Sequence, residues 1–263
     1  MMEQLTIVKI GGKVIDDPTT LAHFLDDFSA VAGPKLLVHG GGKIASDLGK
    51  KMGIEPKYIE GRRITDAPTL DLVTMVYGGL INKQMVAALQ SRDQNAIGLT
   101  GADGNVLPAK KRPVKEIDYG FAGDIKASDV NTEVLQGLVA QGLTPVFCAL
   151  THDQQGSMLN TNADTIACVL ASALATKFEV SLVYCFEQPG VLSDFENKTV
   201  IPDIQPRAYE SLKGDGIINE GMIPKLDNVF AALQAGTKEV RIGHFADLQE
   251  LIGKGKKGTK ITL

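Results

Sequence analysis

Two lysines occupy positions that ask for a chemical reason. Lys9 lies in Val8-Lys9-Ile10, near the end of an apolar segment that reads as a central strand, where a charge is costly unless it has a partner. Lys225, in Gly221-Met222-Ile223-Pro224-Lys225, opens a helix, and cations avoid helix N-termini unless an anion compensates. Two glycine clusters, Gly11-Gly12 and Gly40-Gly41-Gly42, each follow an apolar strand. In an open α/β sheet ligands bind at those carboxyl ends. Without a Cβ, the backbone N–H groups of Gly11, Gly12, Gly41 and Gly42 can approach an anion, and the helix after Gly42 directs its dipole to the same place. The chemistry this combination supports is the holding of an anionic group. The tract Asn160-Thr161-Asn162-Ala163-Asp164 opens a further helix, where Asn162 or Asp164 either caps the first turn or belongs to a site.

Other chemical patterns are incomplete. There is no G-x-G-x-x-G and no G-x-x-x-x-G-K-[ST]; in 253–259 the final glycine, Gly258, is followed by Thr259 rather than lysine. His39-Gly-Gly-Gly is similar to an esterase oxyanion-hole motif, but no G-x-S-x-G elbow supplies a nucleophile. The histidines at 23, 39, 152 and 244 lack metal-binding spacing, so no protein-held metal is expected. Cys148, Cys168 and Cys185 lie in apolar segments without a C-x-x-C pair, which fits reduced thiols in a cytoplasmic protein.

The elements that must position these residues follow from periodicity. Apolar runs at 5–10 and 35–39 read as strands, each followed by a helical pattern, the first on Leu21, Phe24, Leu25 and Phe28, the second on Ile44, Leu48 and Met52. A long helix over 66–91 is open to interruption at Gly78-Gly79, and 105–128 suits hairpins at a sheet edge. Strands at 96–99, 144–150, 179–186, 239–242 and 260–263 alternate with helices at 131–142, 162–176, 223–235 and 246–252. This alternation predicts an α/β fold, a mainly parallel open sheet sandwiched between helices. The pattern restarts near 178, which suggests two closely packed lobes, 1–177 and 178–263, on a single continuous sheet. The 263 residues carry 27 Lys+Arg against 31 Asp+Glu, a net charge of −4 that gives no global field for nucleic acid. No apolar run approaches the roughly 18–20 residues of a membrane span, so no membrane partner is expected.

In order, and over almost the whole chain, Val8-Lys9-Ile10-Gly11-Gly12, the His39-Gly-Gly-Gly element, Gly61-Arg62-Arg63-Ile64-Thr65, Asn160-Thr161-Asn162-Ala163-Asp164 and Gly221-Met222-Ile223-Pro224-Lys225 resemble the motifs of N-acetylglutamate kinases. Gly98-Leu99-Thr100-Gly101-Ala102-Asp103-Gly104, Asn82-Lys83 and Gly258-Thr259 are supporting similarities. The resemblance implies the amino-acid-kinase fold and transfer of the γ-phosphoryl group of MgATP to the side-chain carboxylate of N-acetylglutamate, giving an acyl phosphate in arginine biosynthesis. It makes Lys9 and Lys225 the stabilising cations, with Asp164 orienting both and the amides of Gly12 and Gly41 donating to the moving phosphoryl group. Gly41, Gly42, Asn160 and Arg63, the last on the α-carboxylate, become the acceptor site. The nucleotide falls near 187–192, which includes Glu187 and Gly190, and at Ile217, Ile218 and Asn219, with Mg2+ held chiefly by phosphates and water.

The sequence departs from the family's Leu-Thr/Ser-Asp-Val pattern with Cys185-Phe186-Glu187-Gln188-Pro189-Gly190, where Glu187 stands for the aspartate. It also begins at its first strand, without the N-terminal helix of arginine-regulated hexamers. The expectation is an arginine-insensitive homodimer joined through the helix within 66–91, with 1–177 binding the acyl-amino acid and 178–263 binding ATP. Two alternatives stand beside this reading. One is the same fold acting on N-succinylglutamate, glutamate or aspartate. The other is a non-catalytic amino-acid or nucleotide sensor, which has no use for charges matched to a transition state.

Overall fold

The computed structural model describes every residue except Met1, Glu60, Asn219, Glu220, Lys254 and Lys256. Eight strands carry the α/β architecture: β1 Gln4–Ile10, β2 Lys35–His39, β3 Ala96–Leu99, β4 Thr144–Phe147, β5 Glu179–Phe186, β6 Asp203–Ile204, β7 Glu239–His244 and β8 Thr259–Ile261. The helices are α1 Gly12–Asp16, α2 Pro18–Ser29, α3 Gly42–Lys51, α4 Ala67–Val73, α5 Asn82–Gln90, α6 Thr132–Ala140, α7 Ala163–Leu174, α8 Pro206–Gly214, α9 Ile223–Gln234 and α10 Leu248–Ile252. The chain forms two compact units, one of Met1–Leu36 with Ala167–Leu263 and the other of Leu37–Ile166. This differs from a division at 178 because β1 pairs in parallel with β5 along its full length, from Gln4 opposite Glu179 to Ile10 opposite Cys185. That pairing ties the N-terminal strand to the C-terminal third.

In the first unit the strand order is β6-β8-β7-β5-β1, parallel except for the antiparallel pair β7–β8. Strand β5 is buried on both faces from Leu182 to Cys185, as a strand covered by helices must be. Helix α2 starts where the Asp17 carboxylate accepts from the Thr20 amide at 2.7 Å with Pro18 in the first turn, and it buries Phe24, Leu25 and Phe28. Its C-terminal end meets Lys35, whose ammonium donates to the carbonyls of Ser29 and Val31 at 2.8 and 2.6 Å. Lys35 is only 5% exposed, and burial brings its pKa down to about 8. The carbonyl end of a helix is one of the few places where such a buried cation finds acceptors.

The second unit orders its sheet strands β2-β4-β3, all parallel. Between α4 and α5 the helix does not break at Gly78-Gly79. Instead Thr74–Ile81 winds as a π-helix, giving 24 continuous helical residues from Ala67 to Gln90. Contrary to the expectation from apolar run lengths, this helix meets the length and composition of a membrane span. Its stripe of Leu72, Val73, Val76, Tyr77, Ile81, Met85 and Leu89 is nevertheless buried within the unit, the pattern of a core helix.

Several short hairpins carry residues of interest. Tyr58–Ile59 pairs with Arg62–Arg63, and Leu150–His152 pairs with Met158–Asn160, where a single strand over 144–150 was expected. The 105–128 segment supplies the hairpin of Lys110–Lys111 with Gly123–Asp124, which is a separate two-stranded sheet rather than an edge of the main one. Residues 119–121 are laced to Thr65: the Thr65 amide donates to the Tyr119 carbonyl at 3.1 Å, and the Phe121 amide donates to the Thr65 carbonyl at 2.7 Å. Gly120 sits between them at φ +67°, so close that a Cβ would fall inside the van der Waals shell of the Thr65 carbonyl oxygen. A Gly120→Ala substitution should therefore combine a left-handed backbone cost of roughly 1–2 kcal/mol with a backbone collision. We expect the urea-unfolding free energy to fall by at least about 2 kcal/mol. An unchanged midpoint would contradict this close approach.

Candidate active site

The second unit builds its site around the turn from β2 into α3. Gly41 caps α3 at φ +151°, and a Cβ there would collide with the Ile81 side chain and press on the Tyr77 ring. Gly42 is surrounded by polar groups: a Cβ on it would lie 3.8 Å from Arg63 Nη2, 3.9 Å from the Tyr77 hydroxyl and 4.0 Å from the Tyr58 hydroxyl. Arg63, only 8% exposed, donates from Nη2 to the Gly42 carbonyl at 2.7 Å, to Ser46 Oγ at 2.8 Å and to the Tyr58 hydroxyl. The Tyr58 ring also faces the guanidinium, 4.7 Å from its carbon. Burial raises the pKa of Tyr77, and the Arg63 charge opposes that rise. Arg63 is thus fixed by neutral oxygens and a ring, contacts that set its position without cancelling its charge.

The turn has a buried support. His39, fully buried at the end of β2, places Nδ1 2.8 Å from the Gly40 carbonyl and Nε2 3.1 Å from Asn82 Nδ2. Those partners put the proton on Nδ1 and leave Nε2 to accept. Asn82 also donates to the Val146 carbonyl of β4 at 2.9 Å. Burial, opposed by the Gly40 carbonyl, brings the imidazole pKa down to about 4.

Asn160 ends the second strand of its hairpin, donating from Nδ2 to Thr65 Oγ1 at 3.0 Å, while Thr65 Oγ1 donates to the Arg63 carbonyl at 3.3 Å. Gly41, Gly42, Arg63 and Asn160 are therefore joined through a short polar chain. At the start of α7 the cap is made by Asn162, whose Oδ1 accepts from the Asp164 and Thr165 amides at 2.8 and 3.2 Å. Asp164 lies in the first turn with one carboxylate oxygen buried.

In the first unit Lys9 is half-buried on β1, opposite Tyr184 of β5. Burial pushes the Cys185 thiol pKa up, and the nearby Lys9 charge opposes it. The Gly11 amide donates to the Cys185 carbonyl at 3.0 Å, so this glycine extends the strand pairing. Gly12 opens α1 and is exposed. A Cβ on Gly11, Gly12 or Gly42 would meet only ordinary contacts, so of the four glycines Gly41 alone has both a positive φ and a filled space beside it. Lys225 stands in the first turn of α9 with its ammonium 5.5 Å from the centre of the Tyr184 ring and 5.2 Å from that of Phe186. Beside this pair is a cavity of about 180 Å3 lined by Phe186, Gln188, Gly190, Leu192, Ile218 and Met222, among others. Gly190 and Ile218 thus meet at one cavity; Glu187 and Ile217 are not among its lining residues, and Asn219 lies outside the described residues.

Tyr58, Ser46 and Tyr77 belong to the second unit's constellation without a motif that marks them. Ser46 is the exception in principle, because it lies four residues after Gly42 and donates to the Gly42 carbonyl at 2.8 Å, one helical turn away.

Residues 4–244 match the model of the amino acid kinase family. The acetylglutamate kinase of Cytophaga hutchinsonii is 56% identical over 263 residues, covering 99% of both chains. That of Parabacteroides distasonis is 52% identical over 97% of this chain and 99% of its own. Among solved structures, an N-acetylglutamate synthase from Neisseria gonorrhoeae, in complex with coenzyme A and N-acetyl-glutamate, superposes with a TM-score of 0.82 at 24% identity. That match covers 98% of this chain but only 59% of the longer synthase, and it concerns the fold.

The buried imidazole makes stability depend on pH. His39 stays neutral in the fold down to a pKa of about 4, whereas the unfolded chain takes up a proton below about 6.5. The unfolded state therefore binds more protons between these values, and stability falls as pH drops through that window. The loss should reach about 2 kcal/mol at pH 5. Urea unfolding of the wild type and of His39→Gln at pH 7.5 and pH 5 checks this: the wild type should lose that much more than the variant, and equal losses would refute a neutral His39.

Proposed function

The chain belongs to the amino acid kinase family, and on that premise we propose how its residues carry out the ATP-dependent phosphorylation of N-acetyl-L-glutamate. The γ-phosphoryl group passes from ATP to an oxygen of the substrate's side-chain carboxylate, in a step of arginine biosynthesis. A new P–O bond forms there, the bond to the bridging oxygen breaks, and ADP leaves with the electron pair. The nucleophile is already ionised at neutral pH, so no general base is needed. What remains for the protein is alignment and electrostatic stabilisation.

The observation that carries the reading is the seat of Arg63. A planar guanidinium held at Gly42 by Ser46 and Tyr58 is suited to grip the α-carboxylate bidentately. Gly41, Gly42 and Asn160 complete the acceptor site. Lys9 and Lys225 take the charge spread over the transferring phosphoryl oxygens, the amides of Gly12 and Gly41 donate to them, and Asp164 orients the cations. The nucleotide is assigned to the cavity at Gly190 and Ile218, with Glu187, Ile217 and Asn219 as further contacts. At about 180 Å3 that cavity is below the roughly 300–1,000 Å3 of a site for a whole drug-sized ligand, which suits part of a nucleotide. Gly11 serves by closing β1 onto β5 and is not assigned an anion contact.

Among the described residues no group of three His, Cys, Asp or Glu side chains is arranged for a metal. Mg2+ is assigned to the nucleotide, held by phosphate oxygens and water. Bound there it neutralises phosphate charge. The burial of Cys148, Cys168 and Cys185 supports a reducing, cytoplasmic setting. The partner proposed is a second copy of the chain, joined through the Ala67–Gln90 helix, where Met75 and Leu80 are exposed large apolar residues.

Lys9→Ala and Lys225→Ala should each lower kcat by about 10^2 or more while substrate binding changes little. Arg63→Ala should instead raise the KM for the acceptor with the smaller part of its effect on kcat. An ADP-release assay with N-acetylglutamate, N-succinylglutamate, glutamate and aspartate measures both. Raised KM values with intact kcat in the lysine variants would sink the catalytic assignment, and turnover only with another acceptor would replace the substrate. Light scattering should give twice the mass of the 28.0 kDa chain, and Leu80→Asp should shift it toward a single chain. A hexameric mass would overturn the dimer.

A further inference from the structure

Gly258-Thr259 opens β8, and the transfer reaction gives neither residue a task. Gly258 enters the strand at φ +76°, where a Cβ would collide with the Ile242 carbonyl and the Leu251 side chain. Thr259 follows, fully buried and paired with Ile242 of β7. Its hydroxyl reaches away from that pairing: it accepts from the Val191 amide at 2.8 Å and donates to the Ile201 carbonyl at 2.6 Å. The Ile201 amide donates to the Val191 carbonyl at 2.8 Å, so three hydrogen bonds close a ring through Val191, Ile201 and Thr259. The single hydroxyl proton and a lone pair each have a partner, which fixes the direction of both bonds. Gly190, Val191 and Leu192 line the cavity of about 180 Å3, and Leu192 pairs with Val200 in the hairpin of Leu192–Asp194 with Thr199–Val200. Thr259 is not among the lining residues, so it acts on the cavity only through the turn at 190–191. The approach is close on the Gly190 side too, where a Cβ would fall 2.8 Å from Thr259 Oγ1 and 2.6 Å from a Val200 methyl group.

We propose that Thr259 is a positioning residue for the nucleotide: through its hydroxyl the last strand holds the Gly190–Val191 turn in the place where it forms one wall of the nucleotide cavity. This deepens the reading of that cavity as part of the nucleotide site and rests on it. A turn that is ordered before the ligand arrives has no conformational entropy left to lose on binding, whereas a loose turn would lose it then and bind more weakly. The ring of bonds has no side chain in it but that of Thr259, so one hydroxyl decides whether the Val191 amide and the Ile201 carbonyl are held together. Because that hydroxyl does not line the cavity, its contribution falls on nucleotide binding, and the transfer step proceeds as before once the nucleotide is seated.

Steady-state kinetics of the full-length enzyme, with ATP and acceptor each varied at saturating levels of the other, tests this on Thr259→Val, Thr259→Ser and Ile218→Trp, beside calorimetric titration with ADP. Thr259→Val keeps the β-branched shape and removes the hydroxyl. It should raise the ATP KM and the ADP Kd about tenfold, with kcat and the acceptor KM close to wild type. Thr259→Ser, which keeps the hydroxyl, should recover most of that affinity. A role confined to fold stability would lower the thermal midpoint and leave both nucleotide constants of the folded enzyme unchanged; that result would overturn the proposal, as would a loss shared equally by the ATP and acceptor KM values. Should Thr259→Val fail to fold, Gly190→Ala sets a methyl group against Thr259 Oγ1 and should give the same selective rise in the ATP KM, and an unchanged value there would refute the clasp. Ile218→Trp fills the cavity and should raise the ATP KM at least as far. An ATP KM unmoved by that filling would remove the placement of the nucleotide on which the proposal rests, whereas a rise there with none in Thr259→Val would overturn the role of Thr259 alone.

Discussion

A phosphoryl-transfer site must hold its cations before the anion arrives, and must do so without cancelling the charge it needs. The constraint is sharp in a chain with a net charge of −4, where no surrounding positive field assists. Lys35 shows the general solution away from any chemistry: two carbonyls at the end of a helix accept from a buried ammonium. Arg63 uses a carbonyl, two hydroxyls and a ring. Lys225 has two rings beside it. In each case oriented dipoles or quadrupoles take up part of the desolvation cost of the charge.

The same constraint explains the buried polar support under the glycine turn. Arg63 bonds to the carbonyl of Gly42, so its position is only as fixed as that peptide. The peptide is fixed in turn by Gly41, packed on Ile81 and Tyr77, and by His39, which links Gly40 to Asn82 and through it to β4. A protonated imidazole would lose the acceptor that Asn82 requires and would carry a charge into a fully buried place. The depressed pKa of His39 is thus part of how the turn keeps one conformation. Tyr77 and Ile81, which pack on Gly41, lie in the π-helical stretch. Four residues apart, they fall on the same side of the helix, so both face the same turn.

The sheet strands and the principal helices were legible because each is long enough to display a period: the apolar runs of β1, β2 and β5 and the faces of α2, α3 and α9 fall where the pattern puts them. What escaped is short or depends on partners far along the chain. The π-helical segment reads as a glycine interruption because glycine is a poor helix former, yet flanking turns carry the helix through Gly78 and Gly79. The hairpin at Leu150–His152 and Met158–Asn160 consists of three-residue strands, too few to show alternation. Helix α8 has an exposed face and only Tyr209 fully buried, which leaves almost no apolar stripe to detect. The allocation of the first 36 residues to the C-terminal unit rests on the pairing of β1 with β5, about 175 residues away in sequence.

For the candidate site the division is similar, and it has a chemical pattern. Residues whose type is unusual for their local setting, such as a lysine in a strand or in a first helical turn, stand out in a sequence because the local cost is visible. Residues that answer that cost do not stand out, because Tyr58 and Ser46 are unremarkable where they sit and acquire meaning only from a partner. Gly11 is the converse case: its place in a cluster suggested an anion donor, but the Cys185 carbonyl already takes its amide. A strand-end glycine can serve either the ladder or a ligand, and only the partner strand decides between them. The departure at 185–189 follows the same logic. Its polar and aromatic replacements look arbitrary beside the family pattern until Lys225, 39 residues further on, is found over the ring of Phe186.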